Sequence, residues 1–278
     1  MLRKSTKFAF SNEFPRVSDS QNMCEIFDKI KVSRKGDIYE SHMKTIDIIG
    51  TICPNKYYKI CKNNLIEIDG DSNCFTNENI LCNSEPISFK IYNISQKWNN
   101  NKKLLSNGSN ILGDNGILKL DVDNIDIPIT KTTINNLSFY SAKLLKIGDI
   151  IQFDTETVLP ITVMNIGQNY AKHYLLHENK GGGSYLEYHD VPHFHMPLNE
   201  KSCGHIILGK IINDICHLSA FKIPYGYAIY IKPNVIHCDG FLVGDYLVVY
   251  TITDKYSTVL LKNDNGIIDV NINEAIMI

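Results

Sequence analysis

No apolar run in this chain approaches the twenty or so residues that cross a bilayer; the longest lies around Tyr246–Ile252. The opening residues Met1–Phe10 are basic but lack the apolar stretch of a secretory signal. Neither charge is in surplus. Against 30 Asp+Glu stand 28 Lys+Arg, a net charge of -2, which argues against a nucleic-acid binder and against an acidic solvating tail. No C-x-x-C pair occurs, and 8 cysteines in 278 residues are too sparse to staple a small secreted scaffold. Cys53/Cys61 and Cys74/Cys82 repeat a spacing of eight, wider than structural zinc sites favour. Together these absences predict a cytoplasmic protein with free, mostly buried thiols, no membrane partner and no nucleic-acid partner.

What is present is an ordinary globular composition, 44% hydrophobic and 21% charged, with enough chain for one large domain or two modest ones. Abundant Asn, Ile and Lys point to an AT-rich genome and not to a function. Residues 1–92 read as an irregular N-terminal region. Met23, Ile26, Phe27 and Ile30 have helical spacing behind a cap at Asp19 or Ser20, and Cys61–Asn83, rich in Asn, Asp and Cys, reads as loop.

From residue 93 to 278 the pattern is short β runs between turn residues, which predicts a mostly-β sandwich or barrel. The runs are Ile111–Leu112, Ile117–Val122, Ile125–Ile129, Ser138–Tyr140, Ile147–Phe153 and Ile161–Ile166. After a hinge or wide turn at Gly181–Ser184 come Tyr185–Tyr188, Ile206–Ile212, Leu218–Ile223, Ala228–Ile231, Tyr246–Ile252 and Thr258–Leu261.

The chemistry concentrates in one window, where His189, His193, His195 and His205 are four of the chain's 9 histidines. Residues two apart in a strand share a face, so His193 and His195 can turn two imidazoles into one cavity. Glu200, beyond a bend at Pro197, can offer an oxygen, and His237 ends a second segment that starts at Gly226. Three imidazoles and a carboxylate suit one divalent transition metal: Fe, Mn, Ni or Zn. Glu187 and His189 share the alternation of His193, although Pro192 interrupts the strand between them. They read as catalytic groups, as groups orienting a ligand, or as a surface pair. Tyr230 is the candidate phenol in a cluster with Tyr225 and Tyr227, while His205 and His217 fit solvated positions.

These motifs resemble the cupin superfamily over roughly Tyr185–Leu261. His193, His195 and Glu200 match its first motif, and Gly226 and His237 match its second across eleven residues. The pattern departs where Glu187 and Phe241 replace an expected glycine and asparagine. Asn234 stands for the turn glycine, as the next-best residue for a left-handed backbone. Gly148–Phe153 looks like the opening of a second-motif strand with Leu159 at the histidine position. Residues 93–176 are thus a degenerate, metal-free half or, preferably, outer strands of one enlarged sandwich beside the metal-binding motifs of 177–278. The resemblance implies a jelly roll, a homodimer and a metal-dependent enzyme on a small-molecule polar substrate, either a sugar-type isomerase or epimerase, or a dioxygenase. The alternative is a non-catalytic cupin fold that binds a ligand or serves a structural role.

Overall fold

The computed structural model describes residues 31–69, 85–92, 94, 98–99, 115–253 and 255–274. The helix expected near Met23–Ile30, the run Ile111–Leu112 and most of the expected loop Cys61–Asn83 lie outside them. The strands before the short helix α1 are β1 (Ser33–Lys35), β2 (His42–Ile52), β3 (Tyr57–Cys61), β4 (Asn64–Ile68), β5 (Phe89–Tyr92), β6 (Trp98–Asn99), β7 (Asn115–Lys119) and β8 (Asn124–Ile129). Helix α1 (Ile134–Phe139) replaces the strand expected at Ser138–Tyr140. Its cap is Thr133, whose hydroxyl accepts from Asn136 N at 3.2 Å, and Leu137 anchors it in the core.

Next come β9 (Ala142–Lys146), β10 (Ile150–Gln152), β11 (Leu159–Ile166) and a π-helical turn at Ala171–Leu175. The chain closes with β12 (Tyr185–His189), β13 (His193–Pro197), β14 (Cys203–Ile212), β15 (Ile215–Phe221), β16 (Tyr227–Ile231), β17 (Ile236–Val249), β18 (Tyr256–Asn263), β19 (Gly266–Ile267) and β20 (Asp269–Glu274). The protein is therefore mostly β. No helix among the described residues is long and apolar enough to cross a membrane.

Two large layers share one strand. The first half of β17 pairs with β12 and β14, and its second half, from Gly244, pairs with β11 and β13. The bend needs Gly244, whose φ is +104° and where a Cβ would stand 2.8 Å from Ser202 Cα. One layer runs β1, β2, β11, β17, β13, β16, β9. The other carries β7, β18, β12, β17, β14 and β15, with β8 and β20 beyond. The main core cluster includes Leu186, Ile207, Ile229 and Val248.

A small third sheet of β10, β3 and β4 covers the outer face of the first layer and closes a second core around Tyr58, Phe194 and Tyr230. The stretch expected to be irregular thus supplies β1 and β2 to the main layer, β2 pairing along most of β11. Part of the expected loop, Asn64–Ile68, is a strand of the third sheet. Gly181–Gly183 is not a hinge, because it packs buried against the π-helical turn, with Leu175 Cα 2.5 Å from a Cβ on Gly181.

Candidate metal centre

The chain passes from one layer to the other between His189 and His193. His189 ends β12 and pairs with Tyr256 of β18, whereas His193 opens β13 and pairs with Ile231 of β16. The two imidazoles therefore meet across the sandwich, with ring centroids 5.2 Å apart. His237 joins them from the first half of β17, at 4.9 Å from His189 and 5.0 Å from His193. All three are buried, and one ring nitrogen from each lies within 4.8 Å of the others.

Hydrogen bonding turns a lone pair of these rings inward. His189 Nδ1 donates to Val191 O at 2.7 Å, which leaves Nε2 as an acceptor for the Thr251 hydroxyl at 3.1 Å. His237 Nδ1 donates to Val235 O at 2.9 Å, so Nε2 carries the lone pair in the neutral ring. That nitrogen faces a second acceptor, Glu187 Oε1, at 3.4 Å. Two acceptors face each other stably only with a cation between them, a proton or a metal ion. Burial opposes charge on His237, but the Glu187 carboxylate outweighs it and raises the pKa. On His193, Nδ1 has no hydrogen-bond partner among the described residues. Burial first, then the neighbouring histidines, push His189 and His193 well below the ordinary imidazole range, so both are neutral and fit to ligate.

A metal fits this donor set. Donors about 2.1 Å from a tetrahedral ion lie about 3.4 Å from one another. The His237–Glu187 separation already has that length, and the imidazole nitrogens need to close by no more than about 1.4 Å. His189, His193 and His237, with Glu187 beside them, are the residues that could hold the ion.

The expected ligand set is redistributed. His193 and His237 lie in the cluster. His195 stacks on His193 at 4.8 Å but donates from Nε2 to Asp239 Oδ2 at 3.3 Å and is not among the three. Glu200 is exposed on the turn after β13, because the chain leaves the layer at Pro197. His189, expected as a catalytic or orienting group, supplies the third imidazole. Tyr230 points away: alternation puts it in the second core with Phe153 at 5.5 Å, its hydroxyl accepting from Asp154 N at 3.0 Å. His217, expected to be solvated, is buried on β15 with Glu85 Oε1 2.6 Å and Ser88 Oγ 3.1 Å from Nδ1.

Three neighbours escaped the sequence reading. Asp239 accepts from His195 and from the Tyr185 hydroxyl. Burial favours its neutral form, yet these partners and Arg34 hold it ionised, well below the usual carboxylate range. Its signal was available: Asp239 follows His237 by two and so shares its face. Arg34, buried on β1, donates from Nη1 to Tyr170 Oη at 2.9 Å and contacts Met43 Sδ at 3.4 Å. Tyr170 is itself pushed up to about 12, first by burial, and stays neutral. Arg34, Tyr185, Glu187, His193, Asp239 and Tyr250 line a cavity of about 20 Å³. A water needs about 10–15 Å³ of such space, so the cavity holds a ligand of very few atoms. No protein-family model, curated protein or solved structure matches this chain.

Proposed function

We propose that the protein is a metal-dependent enzyme of cupin type, a jelly roll holding one divalent transition ion. The observation that carries this is the buried His189–His193–His237 cluster with His237 Nε2 turned on the Glu187 carboxylate. Support for the jelly roll is the pair of β layers sharing β17 around that cluster. When bound, the ion would supply Lewis acidity or redox chemistry to an oxygen atom held in the cavity.

Within this reading the chain's own residues have separate tasks. His189, His193 and His237 hold the ion, with Val191 O and Val235 O fixing two of the rings through Nδ1. Glu187 either completes the shell or takes a proton at Oε1 from substrate or water. Asp239, tied to His195 and Tyr185, keeps His195 oriented against His193. The apolar walls Val32, Met43 and Met164 exclude bulk water.

Of the two reaction classes implied by the resemblance, oxygenation fits the space better than sugar isomerisation. Substrate pockets usually span about 300–1,000 Å³, and a sugar ring does not enter about 20 Å³. Dioxygen does. The same small volume favours a second reading, a closed metal centre in a non-catalytic protein, since structural sites leave no open position.

The test is anaerobic loading of the full chain with Fe(II), Mn(II), Ni(II) or Zn(II), then oxygen uptake with small polar substrates. About one equivalent of metal with metal-dependent uptake supports the oxygenase. Turnover without oxygen supports the isomerase. Bound metal with no turnover supports the closed centre, and no bound metal refutes the proposal.

A further inference from the structure

The buried cavity at the histidine cluster has one thin wall. Val32 and Arg34 close it from the β1 side, and Arg34 also borders a second space, an outer cleft of about 560 Å³. Ser33, Lys35, Tyr39, His42 and Lys44 line that cleft too. A single residue thus stands between the cavity and a space of small-molecule size, about 300–1,000 Å³.

The walls of the cavity differ in how they are held. β11 pairs with β2 and β17, β12 with β17 and β18, and β13 with β16 and β17. Among the described residues β1 pairs with β2 alone, over three residue pairs from Ser33↔Lys44 to Lys35↔His42. The bonds of Val32 N to Thr45 Oγ1 at 3.1 Å and of Arg34 Nη1 to Tyr170 Oη at 2.9 Å add to that hold. The buried side chain suits a wall that moves. An apolar plug loses its burial on swinging out, whereas a guanidinium regains hydration. Just after β1 the chain turns tightly: Gly36 N donates to Ser41 O at 2.6 Å, and a Cβ on Gly36 would stand 2.6 Å from His173 O of the π-helical turn.

We infer that β1 is a gate, whose outward swing joins the buried cavity to the outer cleft and lets ions and small polar molecules reach the histidines. This deepens the metal-centre reading and rests on it for what passes. The closed chamber of about 20 Å³ takes only the reacting atoms, and the cleft takes the body of the molecule that carries them.

The gate itself is tested without metal. Ser33 and Lys44 are exposed and directly opposed, and opposed residues of an antiparallel pair have the Cα separation a disulfide needs. In the full chain carrying Ser33→Cys and Lys44→Cys, oxidation should clamp β1 and a phosphine reductant should release it. The probe is diethyl pyrocarbonate, which acylates accessible imidazoles and is too large for the closed cavity. Each histidine of chelated protein is read by peptide mass spectrometry. The expected result is at least about tenfold slower modification of buried His193 in clamped than in released protein, with exposed His177 unchanged. Gly36→Ala, whose methyl group presses the turn away from His173, should speed His193 by about the same factor. Poor folding of that variant leaves the clamp comparison standing. Equal rates at His193 in clamped and released protein overturn the gate. Co(II) loading of the same protein separates the two claims: gated modification without bound Co(II) keeps the gate and refutes the metal centre, and bound Co(II) with equal rates does the reverse.

Discussion

The two faces of β13 are one strand read twice. His193 and His195 look into the space between the layers, towards Asp239 and the other histidines, while Phe194 and Met196 look outward into the second core with Tyr58 and Tyr230. The polar face holds imidazoles at a desolvation cost and gains a site. The apolar face anchors the strand so that those imidazoles are aimed. Alternation along five residues therefore separates what the molecule does from what holds it still.

That separation can be broken from either side. The largest expected effect on stability is Phe194→Ala, which empties a buried ring from the second core and should cost about 3–5 kcal/mol by denaturant unfolding. Metal bound per folded molecule should not change. His193→Ala should do the reverse: metal loss in a chain that still folds, seen by metal analysis beside circular dichroism.

Acid should act on the polar face next. In chelated protein, His189 and His193 refuse protons that their unfolded forms accept below about pH 6.5, so stability should fall by up to about 2.7 kcal/mol per pH unit as pH drops below that value. His237 has the opposite sign. Its raised pKa contributes stability that is present below about pH 6.5 and is lost as pH rises through the folded value. Metal-free protein should therefore be most stable near pH 6.5, and bound metal should remove the alkaline decline. Denaturant melts across pH, with and without chelator, check both limbs, and a monotonic profile would contradict the pairing of His237 with Glu187.

Tyr230→Phe removes the hydroxyl that accepts from Asp154 N and should cost about 1 kcal/mol, leaving metal content alone. Smallest is Glu200→Gln on the exposed turn, expected within about 0.5 kcal/mol of the parent in stability.

Much of this was legible in local patterns. Most of the short β runs after residue 115 are strands, and Asn234 takes the left-handed conformation its place in the turn required, at φ +63°. The window that carries the histidines was legible too, because spacing of two is a property of one strand. What crosses between layers was not. His189 reaches His193 only because Pro192 sits where the chain changes layers, and a break in one strand looks like a loss of register from sequence. Arg34 arrives from a three-residue strand more than a hundred positions away, with no local mark of burial. Ser138–Tyr140 reads as strand by its aromatic residues, yet the Thr133 cap decides for helix.

In the proposed centre the third imidazole is His189, and Glu200 holds no metal. The most direct measurement is metal stoichiometry of His189→Ala beside Glu200→Ala, both loaded anaerobically and checked for folding. About one equivalent is expected in Glu200→Ala and background in His189→Ala. Metal retained by His189→Ala and lost by Glu200→Ala would contradict it and return the site to His193, His195, Glu200 and His237.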